Sequence, residues 1–548
     1  MEFTDLIKTA KVDNVVLWRP HSHKKVTGTL CLTSHHILFS DRTSDKDELM
    51  LLYMAIESLQ RKLSGAAGIL TIFCKDFDTL KMKIPGQEDA FNVAASIEAL
   101  STFESASLYY PFFFNNVTFK IKNDGWHLFN LQEECNKIIN GSEAWRVCAV
   151  NINNEVCGSY PKFVVVPSAA NDEIVKKSAK FRQSGRFPVV SYIHKNKVPL
   201  LRSSQPLYGS SNKRCKEDEK LLSFVLSGFS GKGQIVDTRT SSVAASQRSK
   251  GGGFETSQHY PQWIRTFQNL ERPSFLGESI SRLYEACMDT KSSSWLLKLD
   301  ASGWLTCVAD LLKVALSVAN CISHETPVLV HGDRGSDITL QITSLTQLLL
   351  NPECRTVTGF QSLITREWLW AGYAFTERHL KLGISPARRK EHAPVFLLFL
   401  DCVHQILQQY PSSFEFTEDL LLLLAQHSYS SEYGTFLFNC EWQREQSKVA
   451  EKTVSLWSFI NREEFLSTIR NPIYEENPKE LRPSVAPQSL TLWYGMFAKQ
   501  TLPTGPDSQE EIRKVIVNAK KENNELKERA SNLQSEYEKL RAAYLETS

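Results

Sequence analysis

The residues best placed for chemistry are Val330-His331-Gly332-Asp333-Arg334-Gly335-Ser336-Asp337-Ile338-Thr339. Leu329 and Val330 form a short apolar lead-in, Gly332 and Gly335 allow a tight turn, and a helix-like pattern follows. A strand, a glycine turn and a helix start together point backbone N–H groups at an anion. Phosphoryl transfer through a cysteine would need a thiolate at the first loop position and an arginine six residues later. Gly332 and Ile338 occupy those two positions. Glycine has no nucleophilic atom, and isoleucine cannot offer the planar, charge-assisted fork of a guanidinium. At roughly 1.5–3 kcal/mol per hydrogen bond to a charged group, its absence weakens phosphate binding by at least about tenfold. None of the twelve cysteines has an arginine six positions later. Cys307, followed by Lys313, comes nearest, but it sits in an apolar helical pattern and reads as a core residue.

The elements around this loop are expected to form three regions. Residues 1–100 read as a β-rich module closed by a helix. Val26–Thr33, His36–Asp41, Leu70–Cys74 and Thr79–Ile84 have strand character, and Ala90, Phe91, Ala94, Ile97 and Leu100 are expected on one helix face. Residues 101–122 read as a linker. Residues 123–500 mix helices and strands as in a large α/β domain. Phe163–Pro167 and Phe187–Ile193 have the length of buried strands, and Trp304–Ala319 and Ser344–Leu350 look helical. A polar, glycine-containing stretch from Thr238 to Gly253 interrupts this pattern, either as a functional loop or as a mobile one.

After the breaker at residues 502–507, the segment 508–548 changes character. Ile512, Ala519, Leu526, Leu533 and Leu540 are spaced by seven, as are Ile516, Asn523, Ala530, Tyr537 and Tyr544. Charged residues flank both series, so the pattern predicts a coiled coil, with Asn523 setting register.

Hydrophobic residues make up 42% and charged residues 23% of the 548, as in a soluble globular protein, and the net charge of +2 gives no general pull toward nucleic acid. No apolar run is read as approaching the roughly 20 residues of a membrane span. Phe396–Leu400 and Leu420–Leu424 are expected to be buried elements. The start of the chain lacks the basic and apolar blocks of a signal peptide, and the cysteines show no paired spacing. A cytosolic protein with no cofactor and no metal is therefore expected.

Arg186–Tyr192, Arg202–Pro206, Asp237-Thr238-Arg239, Gly251–Glu255 and the loop itself resemble the myotubularin phosphatases in order and spacing. So do Thr358-Gly359-Phe360, Glu367-Trp368-Leu369, Pro394–Cys402 and Ser413–Phe416. The resemblance spans essentially the whole chain. It implies a pleckstrin-like PH-GRAM domain, a large cysteine-phosphatase-like α/β domain and a C-terminal coiled coil.

Active members of that family remove the 3-phosphate from phosphatidylinositol 3-phosphate and phosphatidylinositol 3,5-bisphosphate with a loop reading His-Cys-Ser-Asp-Gly-Trp-Asp-Arg-Thr. Against it His331, Gly335, Asp337 and Thr339 match. Gly332 replaces the cysteine, Asp333 the serine, Arg334 the first aspartate, Ser336 the tryptophan and Ile338 the arginine. The resemblance therefore implies an inactive branch of the family, with His331 and Asp337 holding the loop rather than working as catalysts. Such a chain would regulate active relatives in the subgroup of the sixth, seventh and eighth members through its coiled coil, homodimers being a further option. It would act in phosphoinositide turnover during endocytosis and autophagy, in the cytoplasm, reaching endoplasmic reticulum, perinuclear or endosomal membranes through its partners. A phosphoinositide-binding membrane adaptor acting without a phosphatase partner is the alternative, and Lys8, Lys11, Lys24 and Lys25 supply some positive charge for it.

Overall fold

A computed structural model of the chain describes residues 3–20, 25–41, 48–103, 105–114, 124–270, 273–288, 293–381 and 393–498, together with Arg529 and Leu533. Its N-terminal part is an antiparallel sheet of β1 (Lys11–Trp18), β2 (Lys25–Leu32), β3 (His36–Asp41), β4 (Glu48–Leu52), β5 (Ile56–Ser64), β6 (Ala67–Cys74) and β7 (Thr79–Pro85). The strand order is β4-β3-β2-β1-β7-β6-β5. β6 shows why it folds this way: every second residue is buried, so Leu70, Ile72 and Cys74 face inward with Leu80, Met82 and Ile84 of β7. The Gln87–Leu100 helix seals this core with Ala90, Val93, Ala94, Ile97 and Leu100.

Phe91 does not join that face. It is 54% exposed, because the residue after Ala90 lies about 100° further round the helix. Its ring instead carries the Arg61 guanidinium at 4.9 Å and the Lys8 ammonium at 5.8 Å. The sequence reading also lacks β1, β4 and β5. A register shift between Val12 and Val15, with Asn14 at φ 58°, breaks the alternation of β1, and the exposed Gln60-Arg61-Lys62 end blurs that of β5.

The larger part centres on five strands, β10 (Val189–Ile193), β11 (Pro199–Ser204), β12 (Gly233–Asp237), β13 (Trp263–Phe267) and β14 (Val328–Gly332), preceded by the two-stranded pair β8 (Trp145–Cys148) and β9 (Val164–Pro167). The order is β10-β11-β14-β12-β13, parallel except for β10. β14 is buried at all five positions, as a central strand covered on both faces must be. Val328 and Val330 enter the main core with the Trp304–Ser323 and Ile338–Leu350 helices, while Leu329 enters a second core with Leu201, Ile235, Leu222 and Trp263. The apolar runs at 396–400 and 420–424 lie in buried parts of the helices Val395–Gln409 and Glu418–Tyr429.

One expectation needs correction. The Trp304–Ser323 helix has 20 residues and contains an 18-residue stretch of mean hydropathy 1.7, so it is long and apolar enough to cross a membrane by length and composition. Asp310, Lys313, Ser317 and Asn320 break the apolar run and hide this in the sequence. Here the helix is amphipathic: Thr306, Asp310, Lys313, Ser317 and Asn320 line an exposed stripe, and the opposite face is core, with Trp304 Nε1 donating to Asp401 Oδ2 at 2.7 Å.

The two parts meet through exchanged lysines. Lys75 Nζ donates to the His379 carbonyl at 3.2 Å, and Lys381 Nζ donates back to the Ile56 and Glu57 carbonyls at 3.1 and 3.0 Å. Phe77 packs against Phe497, and the Thr79 and Tyr284 hydroxyls are 3.0 Å apart. Burial, with help from the nearby Lys381 charge and against that of Glu57, pushes the Lys75 ammonium down to about 7. The unfolded chain keeps a value near 10.4, so between these values it binds a proton that the folded chain does not, and stability rises with pH. Chemical denaturation at pH 7.5 and 9.5 is expected to show that rise, by up to about 1.4 kcal/mol per pH unit. Lys75→Met is expected to lose this contribution to the rise; an identical rise in the variant would refute the assignment.

Candidate functional site

The loop 333–337 leaves β14 at the C-terminal ends of the parallel strands, where Gly332 pairs with Ser204 of β11 and His331 with Asp237 of β12. In open α/β sheets this end is where ligands bind. The helix Ile338–Leu350 starts directly after the loop, with Asp337 as its N-cap residue.

The two loop glycines do different work. Gly335 has φ 69°, and a Cβ there would lie 2.1 Å from the Ser203 carbonyl oxygen, so only glycine fits. Its own carbonyl accepts from Arg186 Nη2 at 2.8 Å. Gly332 is not among the positive-φ glycines. A Cβ at 332 would instead lie 2.5 Å from Thr238 Oγ1, and 3.7 Å from Thr339 Oγ1. The space a cysteine side chain would need beside the strand is thus taken by buried Thr238.

The remaining loop side chains are tied to their surroundings. His331 is fully buried, with Nε2 2.9 Å from Glu255 Oε2. Glu255 Oε1 accepts from Arg182 Nη1 at 2.6 Å, and Arg182 also forks onto Asp218 at 2.9 and 2.7 Å. Asp218 accepts further from Ser178 at 2.6 Å and Tyr260 at 2.7 Å. Burial alone would raise the Glu255 carboxyl, but the charges of His331 and Arg182 outweigh it and hold the group well below the usual carboxylate range.

Asp333 is exposed, and its Oδ1 accepts from Gln205 Nε2 at 2.5 Å. Gln205 Oε1 in turn accepts from Arg239 Nη1 and the Gly253 N–H, and Arg239 forks onto Asp237. The polar stretch 238–253 is therefore folded against the loop, with a helix at Ser241–Arg248. Asp337 receives a fork from Arg378, at 3.1 and 3.0 Å. Ile338 packs against the main core, Thr339 is buried, Ser336 is half-buried, and Arg334 is exposed with no hydrogen bond or ion pair among the described residues.

Three buried guanidiniums around the loop are committed: Arg182 to two carboxylates, Arg186 to Ser159 and the Ala371 and Gly335 carbonyls, and Arg239 to Asp237, Gln205 and Gly253. Arg378 is likewise paired with Asp337. The arrangement holds a shape. It offers no sulfur at 332 and no guanidinium at 338.

Asp218, Arg182 and Arg378 were missed from sequence, although one signal existed. Asp218 lies in a charge run, but it shares a helix face with Leu221, Leu222 and Val225, all buried, so period alone marks it as inward-facing. Of the heptad positions, Leu533 is described: it is helical and 61% exposed. Ile512, Ile516, Ala519, Asn523, Leu526, Ala530, Tyr537, Leu540 and Tyr544 lie outside the described residues.

Comparison with known proteins agrees with this geometry. The family described as "Myotubularin-like phosphatase domain" matches residues 109–445, and "MTMR6-9, GRAM domain" matches residues 11–101. The chain is 48% identical over 503 residues to "Myotubularin-related protein 9" of Homo sapiens, covering 91% of each chain. The protein of that name from Caenorhabditis elegans is 36% identical over 523 residues, covering 92% of this chain and 91% of its own. "Phosphatidylinositol-3,5-bisphosphate 3-phosphatase MTMR8" of Gallus gallus is 36% identical over 504 residues, covering 90% of this chain and 79% of its own. With a PH-GRAM domain followed by a myotubularin phosphatase domain, the chain belongs to the myotubularin family.

Proposed function

We propose that this chain is a catalytically silent myotubularin-related protein that serves as a regulatory subunit of active family members. The observation that carries this is the loop itself: its backbone and flanking side chains are held by a hydrogen-bonded network while position 332 has no nucleophile and position 338 no guanidinium. An ordered framework without these reagents is suited to association rather than turnover. The heptads at Ile512 to Tyr544 supply the means, pairing with a relative of the kind named as a phosphatase, such as the Gallus gallus protein. A partner that binds only the folded state raises its stability by mass action. On this reading the chain is cytoplasmic and reaches endomembranes with its partner, and the reaction it modulates is 3-phosphate removal from phosphatidylinositol 3-phosphate and phosphatidylinositol 3,5-bisphosphate.

Charged substitutions Leu526→Asp and Leu533→Asp in the full chain are expected to abolish co-purification with the active relative. They should also remove any change the chain makes in that relative's phosphate release. Undiminished pairing would refute the heptads as the interface.

A second reading, a membrane adaptor without a phosphatase partner, draws support from the exposed Phe91 with Arg61 and Lys8 over its ring and from Leu63, which is 68% exposed. Liposome flotation of the chain lacking residues 508–548 distinguishes it: strong, headgroup-dependent binding would favour the adaptor.

A further inference from the structure

The segment Phe375–Lys381 touches both the loop and the N-terminal sheet. Arg378 holds Asp337, the last loop residue, through two hydrogen bonds at 3.1 and 3.0 Å, both side chains being about six-sevenths buried. The next residue, His379, gives its carbonyl to Lys75 at 3.2 Å, and Lys381 reaches the Ile56 and Glu57 carbonyls at the start of β5. Thus one side chain points to the loop, while the adjoining backbone and the third residue are fastened to the sheet. Arg378 and His379 are adjoining residues of one short helix, Phe375–His379, so the grip on the loop and the grip on the sheet are one peptide unit apart. A cavity of about 40 Å³ lies against the segment, lined by Lys75 and Leu100 on one side and by Phe375, His379, Leu380 and Tyr429 on the other. The His379 ring anchors the segment to the Glu418–Tyr429 helix: Nδ1 lies 3.0 Å from the Ser428 carbonyl, and the ring stacks on Tyr429 at 4.4 Å between centroids.

We propose that Phe375–Lys381 is a coupling element through which the state of the degenerate loop sets how tightly the PH-GRAM sheet is held, and the reverse. The loop then has a use that needs no phosphate chemistry: a contact made on one domain is reported at the other. Energetic coupling between two sites is reciprocal, and this gives the proposal a two-way test.

Hydrogen–deuterium exchange is measured on the full chain. Asp337→Asn is expected to speed exchange of the amides at 53–60 and 74–80 by about fivefold or more. Lys75→Met is expected to do the same at 333–341. The helix Leu131–Ile139, whose Glu134 reaches Ser362 and Arg366 rather than the loop or the segment, serves as the internal reference and is expected to be unchanged. Arg378→Lys, which keeps the charge and loses the fork, is the milder variant should Asp337→Asn fold poorly, and is expected to act in the same direction. Exchange changes confined to the mutated domain would overturn the proposal. So would a uniform increase that includes Leu131–Ile139, since that reports lost global stability rather than coupling.

Discussion

Arg182→Met is expected to lower the unfolding free energy by about 3–5 kcal/mol, the range seen when one partner of a buried ion pair is removed. Arg182 is fully buried and its guanidinium meets both oxygens of Asp218 and one of Glu255. Methionine fills a similar volume, so the loss is electrostatic: two buried carboxylates lose their shared cation while keeping Ser178, Tyr260 and His331 as partners. Chemical denaturation at neutral pH measures this, and a loss below about 1 kcal/mol would show that the network is energetically neutral. The same network predicts acid sensitivity. Glu255 has a folded value depressed below its unfolded one, near 4.3, so its contribution is present above that value and is lost as pH falls toward the folded one.

Placing a cysteine at 332 and an arginine at 338 is expected to bring no gain in phosphate release. In the double variant Gly332→Cys and Ile338→Arg, phosphate release from phosphatidylinositol 3-phosphate should stay at the level of the unmodified chain. The Cβ of residue 332 would lie 2.5 Å from Thr238 Oγ1, and Thr238 is buried, β-branched and tied by its N–H to the His331 carbonyl at 2.9 Å. Overpacking of this kind costs about 1–3 kcal/mol, and adding Thr238→Ala is expected to recover most of it. An arginine at 338 would leave the core packing of Ile338 and compete with Arg378 for Asp337. Asp333, held at the loop by Gln205, would place a carboxylate beside an incoming phosphate. Turnover approaching that of an active relative would show that the two substitutions alone separate this chain from catalysis.

Several elements were legible because their signal is local. β3 coincides with the expected His36–Asp41, and the alternation within β6 and β7 is the pleat itself. Other signals were local but degraded. β1 carries a register shift at Asn14, the polar stripe of Trp304–Ser323 interrupts what is otherwise a 20-residue apolar helix, and Phe91 sits one position outside its expected face. In the site, the resemblance pointed to Glu255, Gln205 and Arg239 within motifs but not to what they hold. Arg182 and Arg378 carried no comparable mark, since an arginine near a helix end reads as solvated until the fold supplies its carboxylate.

By itself the sequence determined that residue 332 has no sulfur, that residue 338 has no guanidinium, and that apolar residues recur by sevens from 512 to 544. These are matters of covalent identity and short-range period, which no chain path can alter. Tertiary structure alone decided that Thr238 fills the space beside Gly332, that Arg182 joins Glu255 across 73 residues, and that Lys75 reaches His379 across 304. Such pairs depend on where the sheet and helices bring distant segments together, and burial then makes each unpaired alternative costly, so the contacts that give the loop its shape are written in the fold and not in the neighbours along the chain.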